Sequence, residues 1–264
     1  NEESHYLGAY VMDPKPGLYE KVHVFDFKSL YPNIIRTFNI SPETTNPNGE
    51  ISIPTVYIEG KQHGGQKYSR NFGIIPQKIG LLLDERKKVK EQMKNPLFSK
   101  EELKNLNVKQ LVIKELANSI YGVLGNKWFR SFSVSLAESI TTTGQYLQKY
   151  VTEYLRNTKR EVLYGDTDSV FTILKEKEDP NKVAEEINKK VGNHLQKTFG
   201  INESFIEIEL DKTFDKFFIE TKKKYVGLKD GKFKYIGMEL VKRDTIPLAV
   251  KYQTELLNLL FSGI

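Results

Sequence analysis

The sequence of 264 residues has no cysteine, a single tryptophan and no long hydrophobic run. The absence of cysteine excludes disulfides, thiolate zinc sites and cysteine nucleophiles within the chain. Its longest apolar stretches, such as residues 79–83 and 256–261, are far shorter than the roughly 20 residues that a bilayer-spanning helix needs. Repeats and low-complexity linkers are also lacking, so the sequence indicates a folded protein of about one or two domains without a membrane span.

Basic residues are in mild excess, with 40 Lys and Arg against 34 Asp and Glu, a formal net charge of +6. A charge of this size permits a polyanionic partner but does not require one. The local distribution is more informative, because five basic residues lie between Arg86 and Lys94 and three lysines follow one another at 222–224.

Hydrophobic spacing predicts an α+β fold whose antiparallel sheet is interrupted by a protruding helical hairpin. The hairpin comprises helices over 76–94 and 100–124, separated by Asn95-Pro96. Pro32, Pro42 and Pro47 predict turns and short extended pieces after the first strand. The remaining predicted elements are strands at 21–27, 161–174 (pinched at 165–168), 204–210, 214–220 and 222–228, a turn at Asp230-Gly231, and helices at 135–158, 181–198 and 246–261.

The first candidate for chemistry is Asp26-Phe-Lys-Ser-Leu-Tyr-Pro-Asn-Ile-Ile35, in which a carboxylate ends a strand and backbone amides follow. Such amides can hold phosphate oxygens while the carboxylate holds a divalent cation. A capping aspartate ahead of a proline-containing turn is the alternative.

The second candidate is Tyr164-Gly-Asp-Thr-Asp-Ser169, between apolar strands. Asp166 and Asp168 are two residues apart, so in extended conformation they point to the same side. Two carboxylates placed in this way repel each other unless a cation lies between them. The alternative is an Asp-rich hairpin turn with solvated side chains.

The third candidate is one face of each helix of the hairpin. Cations and an amide that converge from two helices suit a triphosphate, and Tyr121-Gly122 offers an aromatic edge and bare backbone to a base pair. The alternative is a solvated basic face. The polar residues concerned are Arg86 and Lys90 on the first helix and Lys114, Asn118 and Tyr121 on the second.

These motifs, in this order, resemble those of DNA polymerase family B. Asp26 to Ile35 is similar to the family's first palm motif, Asp-Phe-x-Ser-Leu-Tyr-Pro-Ser-Ile-Ile, with Asn33 in place of the usual serine. Residues 82–90 and 114–122 resemble its two fingers motifs, and residues 164–169 match its second palm motif without departure.

Two further segments resemble family motifs with one departure each. Tyr6-Leu-Gly-Ala9 is similar to the junction that follows the exonuclease domain, with Ala9 where a second glycine is more usual. Thr221-Lys-Lys-Lys-Tyr225 resembles the primer-strand motif Lys-Lys-Arg-Tyr, with Lys224 in place of arginine. Stretches 118–145 and 236–250 resemble replicative polymerases of T-even-type phages, and the short fingers resemble compact archaeal and viral members.

The resemblance implies template-directed addition of deoxynucleotides to a primer 3′ end, with two Mg²⁺ ions, or Mn²⁺ as an alternative, about 3.5–4 Å apart. Asp26, the backbone of Phe27 and Asp168 are the implied metal ligands. Asp166 is the weaker ligand candidate, because the family tolerates changes at that position better than at Asp168.

The resemblance also assigns the substrate contacts. Lys114 would meet the charge that develops on the triphosphate, and the ring of Tyr31 would exclude a ribose 2′-hydroxyl. The other implied nucleotide-binding residues are Ser29, Leu30, Arg86, Lys90, Asn118 and Tyr121, and the implied DNA-binding residues are Gly122, Thr221, Lys222, Lys223 and Tyr225.

In this interpretation residues 1–73 and 127–245 form the palm, 74–126 the fingers and 246–264 the start of a thumb. The family's exonuclease domain would precede Tyr6 and the rest of the thumb would follow the last helix, so we expect no proofreading in this chain. Whether the sequence is a trimmed palm and fingers or one subunit of a split polymerase stays open. We expect a cytoplasmic or nucleoid-associated protein, in the host cytoplasm if it is viral.

A catalytically silent, polymerase-like DNA-binding subunit is the competing hypothesis. Loss of activity usually removes metal carboxylates or triphosphate-binding cations first, and all of these are present here. A palm-fold nucleotidyl cyclase or reverse transcriptase is disfavoured by Tyr31 and by the fingers helices.

Overall fold

A computed structural model describes residues 8–126, 128, 133–237 and 247–262. Tyr6 and Leu7 of the predicted junction, and residue 246 of the predicted last helix, lie outside the described residues. The helices are α1 (Leu30–Thr37), α2 (Ile74–Gln92), α3 (Lys100–Leu124), α4 (Val134–Asn157), α5 (Pro180–Phe199) and α6 (Pro247–Ser262). The strands are β1 (Gly17–Phe27), β2 (Ile51–Ser52), β3 (Thr55–Ile58), β4 (Lys61–Gly64), β5 (Lys67–Tyr68), β6 (Glu161–Asp166), β7 (Ser169–Ile173), β8 (Ile208–Thr221), β9 (Lys224–Lys229) and β10 (Lys232–Ile236).

The chain forms two compact units, each assembled from separate stretches of sequence. The first unit contains residues 1–9, 27–149 and 188–207, and the second contains residues 10–26, 150–187 and 208–264. The predicted palm, fingers and thumb boundaries stay a prediction. The α+β fold class is confirmed.

A six-stranded sheet, in the order β10-β9-β8-β1-β7-β6, organises the second unit. Its β10–β9, β9–β8, β1–β7 and β7–β6 pairs are antiparallel. Buried and more exposed side chains largely alternate along β8, whereas β6 and β7 each bury a run of consecutive residues, which is the pattern of strands covered on both faces. The core of the sheet contains Val22, Val24, Leu163, Tyr164, Phe171, Phe214, Phe217 and Ile219.

Helix α6 packs Leu257 and Phe261 with Val226 of β9 in the second unit. Leu256 and Leu259 remain 69% and 71% exposed. The helix therefore carries more apolar surface than this packing covers.

The predicted helical hairpin is confirmed in the first unit, where α2 and α3 pack against each other. Ser99 begins α3 with a capping box: its hydroxyl accepts from the Glu102 amide, and the Glu102 carboxylate accepts from the Ser99 amide. Ile113 and Ala117 of α3 are buried. Residues 93–99, which include Asn95-Pro96, make the short connection between the helices.

Two sequence-based expectations are wrong. The predicted turn after Asp26 is helix α1, because Pro32 lies in its first turn, where a missing backbone N–H costs no helical hydrogen bond. The predicted strands at 204–210 and 214–220 are instead one 14-residue strand, β8, which begins at Ile208. Asp230-Gly231 does form the predicted turn, between β9 and β10.

Polar contacts join the short strands of the first unit to α4. His63 Nδ1 lies 2.7 Å from Glu138 Oε1, and Tyr68 and Ser139 share a hydrogen bond of 2.6 Å between their hydroxyl groups. Among the described residues, none of the helices has the length and apolar character that a membrane span requires.

A buried arginine joins three segments of the second unit. The Arg160 guanidinium, 5% exposed, donates to the carboxylates of Glu178 and Glu186 at 2.8 and 3.0 Å. Tyr154 donates its hydroxyl hydrogen bond to Glu186. Hydrogen bonds from Arg160 lower the pKa of both carboxyl groups.

We expect Arg160→Met to lower the free energy of unfolding by about 2 kcal/mol at neutral pH. The loss stays below that of a fully buried pair because the two carboxylates are partly exposed. Urea unfolding measures it, with Arg156→Met as the matched control, which should change stability by less than about 0.5 kcal/mol.

The ion pairs of Arg160 with Glu178 and Glu186 should also make the difference in unfolding free energy between the parent and Arg160→Met depend on pH. Carboxyl groups whose pKa is lowered by folding stabilise the protein above their unfolded pKa, about 4.3 for Glu, and that stabilisation is lost as pH falls through the folded pKa. The stabilities of parent and Arg160→Met should therefore converge in acid, and a constant difference would show that the ion pair is not its source.

Candidate functional site

The aspartate-rich motif forms the tight turn between β6 and β7. Asp166 pairs with Ser169, which leaves Thr167 and Asp168 at the tip. Thr167 has φ +52°, a left-handed conformation that is unfavourable for a β-branched residue. Its amide donates to the Tyr10 carbonyl at 3.0 Å. The turn is therefore held in a strained conformation by a neighbouring segment of the second unit, as is common at functional sites.

Asp26 lies beside this turn, because β1 pairs Asp26 with Ser169 of β7. Burial and the neighbouring carboxylates of Asp168 and Asp211 together raise the pKa of Asp26 to about 7, and Lys212 opposes this shift. The surroundings of Asp26 thus disfavour its negative charge in the absence of a cation.

The carboxylates of Asp26 and Asp168 are groups that could hold a magnesium ion. Within the described ranges, no group of three or more His, Cys, Asp or Glu side chains is arranged to hold a metal ion. Mg²⁺ is commonly bound through one or two carboxylates, with water and substrate phosphates filling its other positions. Asp26 and Asp168 supply such a pair of hard oxygen ligands.

Asp166 has a different environment. Its two carboxylate oxygens each accept a hydrogen bond of 2.9 Å from Lys223 Nζ. Oδ1 also accepts from the Thr167 hydroxyl at 3.1 Å, and Oδ2 accepts from the Tyr164 hydroxyl at 3.3 Å. The carboxylate is therefore surrounded by donors from its own unit.

The lysine-rich motif forms the turn between β8 and β9, where Thr221 pairs with Lys224. Lys222 Nζ lies 2.8 Å from Asp13 Oδ1. Tyr225 packs its ring against Phe171 and Phe217, with ring centroids 5.2 and 5.3 Å apart, and burial raises its pKa. The tyrosine anchors the turn in the core, whereas the lysines project from it.

In the first unit, α1 presents its N-terminus at Ser29, Leu30 and Tyr31. Ser29 is the N-cap, with φ +44° and no side-chain cap. Amides in the first turn of a helix have no partner within that helix and attract anions. Asn33, at the position where the family usually has serine, is buried and donates from Nδ2 to the Lys28 carbonyl at 2.8 Å.

Tyr31 lies between α3 and α4 side chains of the first unit. Its ring centroid is 4.6 Å from that of Tyr121, at an interplanar angle of 52°. A Cβ at Gly144 would lie 3.1 Å from Tyr31 Cε1, so glycine in α4 gives the ring its space.

The basic side chains predicted on the hairpin are largely solvent-facing. Lys90, Lys114 and Asn118 are exposed, which suits groups that meet a ligand. Arg86 is half-buried and donates from Nε to Gln110 Oε1 at 3.2 Å. Gly122 is exposed near the end of α3, with open space where a Cβ would lie.

The structure thus places Asp26 beside the turn that contains Asp168. It pairs Asp166 with Lys223, and it packs the ring of Tyr31 against that of Tyr121. Lys222 is instead paired with Asp13, and Glu207 is paired with Lys28 at 2.6 Å. The sequence did not predict the contacts of Tyr164 with Asp166, of Gly144 with Tyr31, or of Gln110 with Arg86. Local sequence patterns carry no signal for such distant contacts.

The profile of DNA polymerase family B matches residues 1–263. The DNA polymerase of Thermococcus gorgonarius is 36% identical over 259 residues, which are 96% of this chain and 32% of that protein. DNA polymerase 1 of Pyrococcus abyssi is 36% identical over 260 residues, which are 96% of this chain and 32% of that protein. The DNA polymerase of Archaeoglobus fulgidus is 31% identical over 260 residues, which are 97% of this chain and 31% of that protein. The chain spans about a third of the length of these relatives.

Proposed function

Because the chain belongs to DNA polymerase family B, as its motifs predicted, we propose that it carries the nucleotidyl-transfer machinery of a DNA-templated DNA polymerase. The observation that supports this most strongly is the placement of Asp26 beside the Asp168 turn, in surroundings that raise the pKa of Asp26 to about 7. A half-buried carboxylate whose pKa is raised by burial and by a neighbouring carboxylate favours a bound cation, which two-metal phosphoryl transfer requires.

Asp26 and Asp168 would hold two Mg²⁺ ions, or Mn²⁺, with the backbone carbonyl of Phe27 as a further ligand and Asp166 as the weaker candidate. When bound, the ions lower the pKa of the primer hydroxyl and neutralise the triphosphate and its leaving pyrophosphate. The carboxylates position these charges, and positioning with charge neutralisation accounts for most of the rate in phosphoryl transfer.

Nucleotide binding falls to residues of the first unit. Lys114, Arg86, Lys90 and Asn118 would grip the triphosphate through charge-assisted hydrogen bonds. The amides of Ser29, Leu30 and Tyr31 would contact its oxygens at the N-terminus of α1. The rings of Tyr31 and Tyr121 would border the sugar and the nascent base pair.

The primer strand would be held by Thr221, Lys222, Lys223 and Tyr225 of the β8–β9 turn, with Gly122 offering bare backbone to the duplex. Lysine contacts to phosphates fix the position of DNA without reading its sequence. Binding by these residues should therefore weaken as salt rises.

We expect Lys114→Ala to lower kcat/KM for the incoming nucleotide about 30-fold, the loss of roughly one charge-assisted hydrogen bond of about 2 kcal/mol. The matched control is Lys109→Ala on the same helix, because Lys109 pairs with Glu85 at 2.7 Å. Steady-state incorporation of one nucleotide compares them. Equal values for Lys114→Ala and Lys109→Ala would remove Lys114 from the triphosphate site.

Template direction is tested with four primer–templates that differ only in the first unpaired template base. Each should receive its complementary deoxynucleotide in the presence of Mg²⁺. Addition that ignores the template base would contradict the proposal, and DNA binding without any addition would favour the silent DNA-binding subunit.

A further inference from the structure

The β8–β9 turn and the β6–β7 turn are tied together through one lysine. Lys223 donates from its backbone N–H to the Tyr164 hydroxyl at 3.0 Å and from Nζ to both oxygens of Asp166 at 2.9 Å. The Tyr164 hydroxyl in turn donates a hydrogen bond to Asp166 Oδ2, so the three residues form a closed cycle of hydrogen bonds. Main chain and side chain of Lys223 are thus fixed by two residues of a single motif.

The backbone around Lys223 allows little freedom. Lys223 has φ +59°, which is costly for a residue with a side chain. Gly237 packs against the same turn, because a Cβ there would lie 1.9 Å from the Lys223 carbonyl oxygen. Tyr164 is fully buried, so the hydroxyl that holds the Lys223 amide is itself in a defined place.

We propose that Asp166 is a positioning residue for the primer terminus: it orients Lys223 on the β8–β9 turn toward DNA. The inference rests on the proposed polymerase function. A lysine ammonium has three donors, and its two contacts with Asp166 leave a donor whose direction is set by that carboxylate. The oxygens of Asp166 are occupied by Lys223, Thr167 and Tyr164, which favours this role over metal binding.

The energy of the ion pair is of secondary importance. Lys223 is 61% exposed, and exposed pairs contribute little to stability. The consequence lies in alignment, because removal of the Asp166 charge should leave Lys223 attracted to DNA phosphates but without a fixed direction. Loss of the Asp166 charge should therefore disturb the alignment of the primer end while leaving DNA affinity nearly unchanged.

The neighbouring pair provides a matched control. Lys222 contacts Asp13 at 2.8 Å, but Asp13 is 90% exposed. Asp13→Asn thus removes the carboxylate partner of the adjacent lysine in the same turn and leaves the contacts among Tyr164, Asp166 and Lys223 in place.

The test compares the parent with Asp166→Asn, Lys223→Met, the double variant and Asp13→Asn. The first readout is the fluorescence of 2-aminopurine at the primer 3′ end in complexes without metal or nucleotide, which reports alignment independently of catalysis. The second is single-turnover incorporation at saturating primer–template, together with the Mg²⁺ concentration that gives half the maximal rate.

We expect Asp166→Asn and Lys223→Met to alter the fluorescence in the same way and to slow incorporation about tenfold. DNA affinity should change less than threefold, the Mg²⁺ midpoint should stay constant, and the double variant should be no slower than either single variant. Asp13→Asn should match the parent.

The proposal is overturned if Asp166→Asn matches Asp13→Asn in both readouts. It is also overturned if Asp166→Asn raises the Mg²⁺ midpoint several-fold while Lys223→Met is unaffected, since that pattern identifies a metal ligand alone. A parent that binds primer–template but never extends it would contradict the proposed function, whereas the fluorescence comparison would still decide the role of Asp166.

Discussion

Replacement of Asp168 or Asp26 by alanine is expected to reduce primer extension by at least about a thousandfold, because each change would remove a ligand of the proposed two-metal site. The fold should survive. Burial and the neighbouring Asp168 and Asp211 carboxylates raise the pKa of Asp26, so loss of either charge relieves repulsion in the metal-free protein. The melting temperature in the presence of a chelator should therefore stay equal to that of the parent or increase.

Extension rate and melting temperature must be measured on the same preparations. Asp215→Ala is the control, because Asp215 is an exposed carboxylate on β8 of the same unit, and its extension rate should equal that of the parent. Activity of Asp168→Ala within tenfold of the parent would remove Asp168 from the metal site, and the same result for Asp26→Ala would remove Asp26.

Replacement of Tyr31 by alanine should admit ribonucleotides, and the preference for deoxynucleotides should fall at least about 100-fold. The ring is confined, with Tyr121 at 4.6 Å and Gly144 beneath it. Because the Tyr31 ring is packed too tightly to move aside, a ribose 2′-hydroxyl would overlap with it and be excluded, since tightly packed groups accommodate added atoms poorly.

Tyr31→Phe separates overlap from hydrogen bonding, because it keeps the ring and removes only the phenolic oxygen. We expect it to retain the preference of the parent. The measurement is the ratio of kcat/KM for a deoxynucleotide and its ribonucleotide. An unchanged ratio in Tyr31→Ala would assign sugar selection to another residue, and a loss in Tyr31→Phe would assign it to the hydroxyl.

Hydrophobic spacing and residue type along the sequence predicted the helices and strands whose formation depends on neighbouring residues. The spacing of α2 and α3 predicted the hairpin, and the run of β-branched and aromatic residues predicted a strand ending near Asp26. The sequence pattern does not predict helix α1, because proline usually interrupts a helix, whereas Pro32 lies in the first turn, where proline is tolerated. Strand β8 was divided in two because its charged residues interrupt the apolar alternation.

The contacts between distant residues could not be predicted from one sequence. Lys223 and Asp166 are 57 positions apart, and their contact depends on the order of strands in the sheet. Gly144 beneath Tyr31 likewise follows from how α4 packs within the first unit. Motif resemblance indicated which residues carry chemistry, whereas the structure added the partners that orient them.

The most direct test of the polymerase assignment is single-turnover primer extension with the purified chain in large excess over a labelled primer–template, so that weak DNA binding cannot hide the chemical step. With Mg²⁺ and the complementary deoxynucleotide, we predict that the primer grows by one nucleotide in the parent and not in Asp168→Ala. Complete binding of the DNA without extension, in Mg²⁺ and in Mn²⁺, would contradict the account and identify the chain as a DNA-binding subunit.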